Sequence, residues 1–335
     1  MQFEACPACL GENIKTIHRI ATRDLETLYG REGLDVSRYF GATREIRLNK
    51  CLACDLGFFS PHCAGDDLFY EQLQKFDWYY QDDKPEYDYA RKLVGDAQRV
   101  LEVGCGKGAF FSWLPESVEY TGLEFNDEAI RKARSAGLNV FKQPIEEHAK
   151  LEAGKYDVVC SFQVLEHIPA PRGFIRACVQ ALKPGGKLIF AVPAEDGFLG
   201  VAANAYLNMP PHHVLRWSDR ALRHLAFREG LSVIELWHEP VAEFHREWHQ
   251  ETLARHYLVQ LGLGQQRLVD RTLTGRVFSR LLRSGGIRDY FAAKAAKRFA
   301  PATHGHTVVL VASKPVWSEV HAVQRKASPD TVVAQ

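Results

Sequence analysis

From Arg99 onward the chain alternates between short apolar runs and amphipathic stretches. The runs Val100–Val103, Tyr120–Glu124, Val140–Phe141, Asp157–Ser161 and Lys187–Val192 are strand-sized, and the segments between them, 108–114, 126–136, 145–150 and 171–182, carry helical spacing. A strand–helix alternation with short connections predicts a parallel sheet covered by helices on both faces, a doubly wound α/β fold. A helix over 218–229 and strands at Leu231–Trp237 and Thr307–Ser313 complete it. The pattern divides the chain into a module at 1–62 and an aromatic, acidic linker at 63–95 that starts and ends helical around Pro85. The sheet domain covers 96–239 and 306–314, a helical insertion fills 240–305, and 315–335 reads as a flexible tail.

Composition narrows the class. The chain has 335 residues, 46% of them hydrophobic and 25% charged, with a net charge of +1, which gives no bulk attraction to nucleic acid. The first residues lack a basic-then-apolar leader, and no apolar run reaches the roughly 20 residues that span a bilayer. Four of the eight cysteines form two CxxC pairs. That usage points to metal in a reducing compartment, and so to a cytoplasmic protein.

The chemistry concentrates at Val100-Leu-Glu-Val-Gly-Cys-Gly-Lys-Gly108. A strand ends in Glu102, and Gly104, Gly106 and Gly108 let the main chain turn sharply and approach a ligand. Glu124, at the end of the next strand, can accept two ribose hydroxyl protons. Both features also suit a dinucleotide site, or a tight turn with no ligand. The segments YDVVCSFQVLEHI (156–168) and ACVQALKPGGKLIFAVP (177–193) distinguish them.

In motif order, spacing and wording, residues 99–193 resemble the class I S-adenosylmethionine-dependent methyltransferases. The resemblance implies a Rossmann-like sheet whose last strand inserts, antiparallel, between the fifth and sixth. It implies that Gly104, Gly106 and Gly108 lie against the methionine part of S-adenosylmethionine, with Glu102 near its amino group and Glu124 on the ribose. Gln143 to Ile145 would flank adenine, although the aspartate often found there is absent. Phe162 and Gln163 would face cofactor and substrate. An aromatic segment before the domain suits a lid, with Tyr79 and Tyr80 over the cofactor; equally, these rings pack the N-terminal module onto the sheet.

Cys6-Pro-Ala-Cys9 and Cys51-Leu-Ala-Cys54 are spaced so that each pair puts two thiolates on one metal, and both pairs together complete a closed structural zinc site. The alternative is reduced thiols in ordinary turns. A zinc-ribbon-like module ahead of a methyltransferase domain resembles a bacterial group that includes sugar methyltransferases, which implies a carbohydrate acceptor, nucleotide-linked or part of a surface polysaccharide.

His167, His212 and His213 are the candidate bases for O- or C-methylation. His167 is also readable as a hydrogen-bonding turn residue, and one of the His212–His213 pair as a packing residue. From Arg267 to Arg298 nine basic residues stand against Asp270 and Asp289, a net +7. Such a face suits a pyrophosphate-linked sugar or peripheral contact with an anionic membrane, or is simply a solvated basic helix. Two further readings stand beside the carbohydrate acceptor: O-methylation of a small aromatic or quinone-type acceptor, and a non-catalytic adaptor on the same fold. A nucleic-acid substrate is disfavoured, because Ser161-Phe162-Gln163-Val164 replaces the N/D-P-P-Y/F motif.

Overall fold

The computed structural model describes residues 5–73, 75–76, 82–298 and 304–316. Eleven strands form two sheets among these residues. The strands are β1 (Ile14–Ala21), β2 (Glu45–Cys51), β3 (Gly57–Ser60), β4 (Arg99–Val103), β5 (Glu119–Leu123), β6 (Val140–Phe141), β7 (Tyr156–Phe162), β8 (Leu182–Pro193), β9 (Leu215–Arg216), β10 (Ser232–Pro240) and β11 (His304–Ser313).

The larger sheet runs β10-β11-β8-β7-β4-β5-β6, seven strands in all. β4 pairs in parallel with β5 and β7, and β7 with β8, as expected of consecutive right-handed crossovers. β11 lies between β8 and β10, antiparallel to both, so the doubly wound α/β fold and its inserted last strand are both present. The central strands are apolar on both faces because helices cover each side; Val100, Leu101, Val159, Leu188 and Ile189 are all fully buried.

Two local expectations need correction. After Gly108 the chain makes a single 3-10 turn, Ala109–Trp113, instead of the α-helix expected over 108–114. The Lys183-Pro-Gly-Gly186 stretch does not precede the strand but forms a bulge inside it: Tyr156 pairs with Leu182, and Val158 already with Lys187. Gly185 absorbs that bulge at φ +80° and donates its N–H to Lys314 O at 2.7 Å. Pro85 opens the helix Pro85–Val94 at its first position, where its missing N–H costs nothing.

Beyond Glu124, the Asn126 side chain caps the helix Asp127–Ser135 by accepting the Ala129 N–H at 2.8 Å. Asn126→Ala is expected to cost about 1 kcal/mol, read as a lower melting temperature in calorimetry.

The smaller sheet, β1-β2-β3-β9, belongs to the N-terminal module, yet β9 comes from the connection after β8. A helix at Thr22–Gly30, not expected from the sequence, buries Leu25, Leu28 and Tyr29 beneath it. The Tyr29 hydroxyl lies 2.9 and 3.0 Å from the Tyr206 and Met209 carbonyls and donates to that pair. Phe59 N–H donates to Val214 O, and Gly65 N–H to Pro211 O. The module therefore holds the 206–214 segment in place. The insertion contributes helices Arg246–Gln260, Leu273–Leu281 and Gly285–Ala296, which share a small core with Phe198. No described helix is long and apolar enough to cross a membrane.

Candidate functional site: the sheet edge and the histidine cluster

The carboxyl ends of β4, β5 and β7 converge on the glycine loop. Gly104, Gly106 and Gly108 all have positive φ, +78°, +54° and +84°, a region in which only glycine is unstrained. A Cβ at Gly104 would lie 2.4 Å from Val164 Cγ2, so the loop rests directly on the turn that follows β7. Glu124 ties the loop to β5: it accepts the Gly106 N–H at 2.8 Å and the Phe125 and Asn126 N–H groups at 2.7 and 2.9 Å. Glu102 is buried beside it, where the Tyr120 hydroxyl donates to its carboxylate at 2.5 Å. Burial pushes the Glu102 carboxyl up to about 8.

The remaining cofactor candidates separate. Gln143 is half-buried after β6, whereas Ile145 is buried in the main core at the start of its helix. Phe162 packs inside the core, its ring centroid 5.0 Å from Tyr87 and 4.8 Å from Phe110, so it supports the sheet edge from behind instead of facing outward. Gln163, at φ +57°, donates to Glu86 Oε1 and Thr307 Oγ1, each at 3.2 Å. Tyr79 and Tyr80 lie outside the described residues.

The three candidate histidines form one cluster. Ring centroids of His167, His212 and His213 lie 4.4–4.8 Å apart, with the last two stacked. Each presents Nδ1 to an oxygen: His167 to His212 O at 2.7 Å, His212 to Leu207 O at 2.8 Å and His213 to Asn208 Oδ1 at 3.1 Å. A carbonyl can only accept, so each Nδ1 carries the proton and each Nε2 carries the lone pair. Burial pushes His167 down to about 4, and His212 and His213 well below the ordinary imidazole value, so all three are neutral at pH 7.

Sequence reading missed the acids around the cluster. Glu166 is 1% exposed, and among the described residues neither of its carboxylate oxygens has a hydrogen-bond partner. Its Oε1 lies 3.8 Å from Nε2 of both His167 and His213. Burial pushes Glu166 up to about 8 and Glu239 up to about 7. Glu86 and Glu239 are both buried nearby, joined through Gln163 and Thr307. Tyr70 places its hydroxyl 3.1 Å from His167 Nδ1. The Leu-Glu-His triplet was a signal for Glu166; Glu86 and Glu239 gave none, since only the fold brings them to this edge.

The two CxxC pairs also meet. Cys6 and Cys54 sulfurs are 3.6 Å apart, and Cys9 and Cys51 sulfurs 3.5 Å. A tetrahedral ion with metal–sulfur bonds of about 2.3 Å holds its ligands about 3.8 Å apart, close to these separations. The Cys6 and Cys54 sulfurs share a hydrogen bond that lowers the Cys6 thiol below its ordinary value. Cys51 and Cys54 are buried against Leu56 and Phe58 in the main core.

Residues 71–236 match the sequence profile of a family described as "Methyltransferase domain". The chain is 42% identical over 125 residues to the ubiquinone biosynthesis O-methyltransferase of Cronobacter sakazakii, covering 34% of this chain and 51% of that protein. The protein of the same name from Erwinia tasmaniensis is 38% identical over 124 residues, covering 35% and 47%. The chain thus spans about half the length of the curated relatives it matches. Among solved structures it is similar to a SAM-dependent methyltransferase from Archaeoglobus fulgidus, with TM-score 0.49, 17% identity, and coverage of 73% of this chain and 100% of that one.

Proposed function

We propose that the protein transfers the methyl group of S-adenosylmethionine to a hydroxyl oxygen of a small phenolic or quinone-type acceptor. The observation that carries the chemistry is the histidine–Glu166 cluster, set against the glycine loop through the Val164–Gly104 contact. S-adenosylmethionine supplies an electrophilic methyl on a sulfonium, and in-line attack then needs alignment and a proton acceptor. On this reading Gly104, Gly106 and Gly108 bring main chain against the methionine part. Glu102 faces the amino group, Glu124 the ribose hydroxyls, and Gln143 the adenine. His167 or His213 takes the acceptor proton at Nε2, which the Nδ1 hydrogen bonds keep unprotonated. The cysteine quartet holds a structural zinc ion. All eight cysteines are free of disulfides, which supports a cytoplasmic enzyme.

The quinone-type acceptor replaces the carbohydrate as the leading reading because the relatives are named for ubiquinone biosynthesis O-methylation. One observation keeps a phosphate-bearing acceptor as the second reading. Arg31, Arg271, Arg276, Arg280 and Arg283 line an open cleft of about 560 Å³ between the N-terminal module and the insertion. Arg271 pairs with Asp24, and the acidic wall residue Asp270 is already bound by Arg255.

Isothermal calorimetry with S-adenosylmethionine, followed by turnover on catechol-type and nucleotide-sugar acceptors, tests both readings. His213→Ala or His167→Ala is expected to lower turnover about a hundredfold while cofactor affinity is kept. Unchanged turnover in both variants removes the histidines as bases, and no binding heat at all sinks the enzyme reading. Arg280→Ala with Arg283→Ala is expected to raise KM only for a phosphate-bearing acceptor.

A further inference from the structure

The helix Leu273–Leu281 of the insertion has three faces, and among the described residues only one is covered. Phe278, and Leu282 just beyond the helix, are buried in the small core shared with Phe198. Leu273, Val277 and Leu281 recur every four residues on a second face and are 78%, 61% and 38% exposed. Arg276, Arg280 and Arg283 are exposed alongside, on the third.

These arginines belong to a continuous basic surface. Two open clefts of about 560 and 510 Å³ share Arg271 and Arg276. Arg31, Arg280 and Arg283 also line the first cleft, and Arg23 and Arg267 the second. The acids that line the two clefts, Asp270 and Asp24, are already engaged by Arg255 and Arg271. Arg276, Arg280 and Arg283 form no ion pair with any described residue. An exposed apolar stripe flanked by uncompensated arginines is the arrangement of a helix that lies in a bilayer surface, with apolar side chains among the acyl chains and cations at the phosphates.

We propose that this face of the protein docks on an anionic lipid bilayer, with Leu273, Val277 and Leu281 entering the interface and the arginines meeting lipid phosphates. A soluble phosphate ligand accounts for the arginines alone. A bilayer accounts also for the apolar stripe beside them, and for a basic face that extends over two clefts. The surface is built from the N-terminal module and the insertion, both outside the 71–236 stretch that matches the methyltransferase profile. Docking therefore rests on neither acceptor reading and is measured without turnover.

The test is sedimentation of the full chain with vesicles of phosphatidylcholine alone and of phosphatidylcholine mixed with phosphatidylglycerol. Binding is expected to the mixed vesicles only, and to weaken with added salt. Arg276→Gln, Arg280→Gln and Arg283→Gln together are expected to weaken it about a hundredfold, or roughly fivefold for each charge removed. Leu273→Ser with Val277→Ser is expected to weaken it at least about tenfold at any salt concentration. All five side chains are exposed, so both variants should keep the wild-type melting temperature. No sedimentation with the mixed vesicles overturns the proposal. So does a serine variant that binds like the wild type, since a basic surface alone would then adsorb to the lipid. Calorimetric binding of pyrophosphate without vesicle binding overturns it in favour of a soluble ligand. Dimerisation that the serine variant loses, again without vesicle binding, overturns it in favour of a second copy of this chain. Vesicle binding by a chain that takes up no S-adenosylmethionine leaves the docking face standing and removes the methyl-transfer reading.

Discussion

Gly104→Ala is expected to abolish measurable S-adenosylmethionine binding and to lower stability by about 2–4 kcal/mol. Two costs combine. At φ +78° an L side chain is strained by its own main chain, and the added Cβ would stand 2.4 Å from Val164 Cγ2. Val164 is β-branched and cannot swing a flexible end out of the way, so the turn itself must move. That turn leads into Glu166 and His167, so the substitution also displaces the cluster that faces the acceptor. Gly108→Ala makes a useful contrast. Its nearest obstacle, at 2.2 Å, is the terminal Cδ2 of Leu138, which can rotate, so a smaller loss is expected. Calorimetric titration with the cofactor and thermal unfolding of both variants decide the matter. A Gly104→Ala protein with wild-type cofactor affinity would falsify the assignment of this loop.

The elements legible in the sequence are those whose signals are local. The central strands of the larger sheet are continuous apolar runs because both faces are covered, and each expected run overlaps an observed strand, with most ends shifted by one to a few residues. The Leu25, Leu28 and Tyr29 spacing is that of a helix face, but the segment is a short one between strands, too brief for its period to stand out. The 3-10 turn at 109–113 and the bulge at Lys183–Gly186 are set by strand register, which no single segment encodes. The site follows the same division. Glycines, Glu124 and the histidines stand in recognisable wording; the acids Glu86 and Glu239 meet Gln163 and Thr307 only through long-range folding. The hydrogen bonds of Tyr29 to residues nearly two hundred positions away are invisible to any local reading, yet they fix where His212 and His213 lie.

Those long-range bonds give the cysteine quartet a consequence beyond its own module. If the four sulfurs hold zinc, Cys51→Ser with Cys54→Ser is expected to cost more than about 4 kcal/mol, as loss of a structural metal does. A chelator should then lower the melting temperature of the wild type and leave the variant unchanged. If the thiols merely pack, the substitutions should cost about 1–2 kcal/mol and a chelator should do nothing. The damage should also be selective. β2 and β3 carry the quartet's second knuckle between them, and β3 donates Phe59 N–H to Val214, next to the histidine pair. Loosening the smaller sheet therefore frees the 206–214 segment, while the glycine loop, Glu102 and Glu124 stay anchored in the larger sheet through β4 and β5. Turnover is expected to fall much further than cofactor affinity. Equal losses of both would mean that the module stabilises the chain as a whole without positioning the histidines.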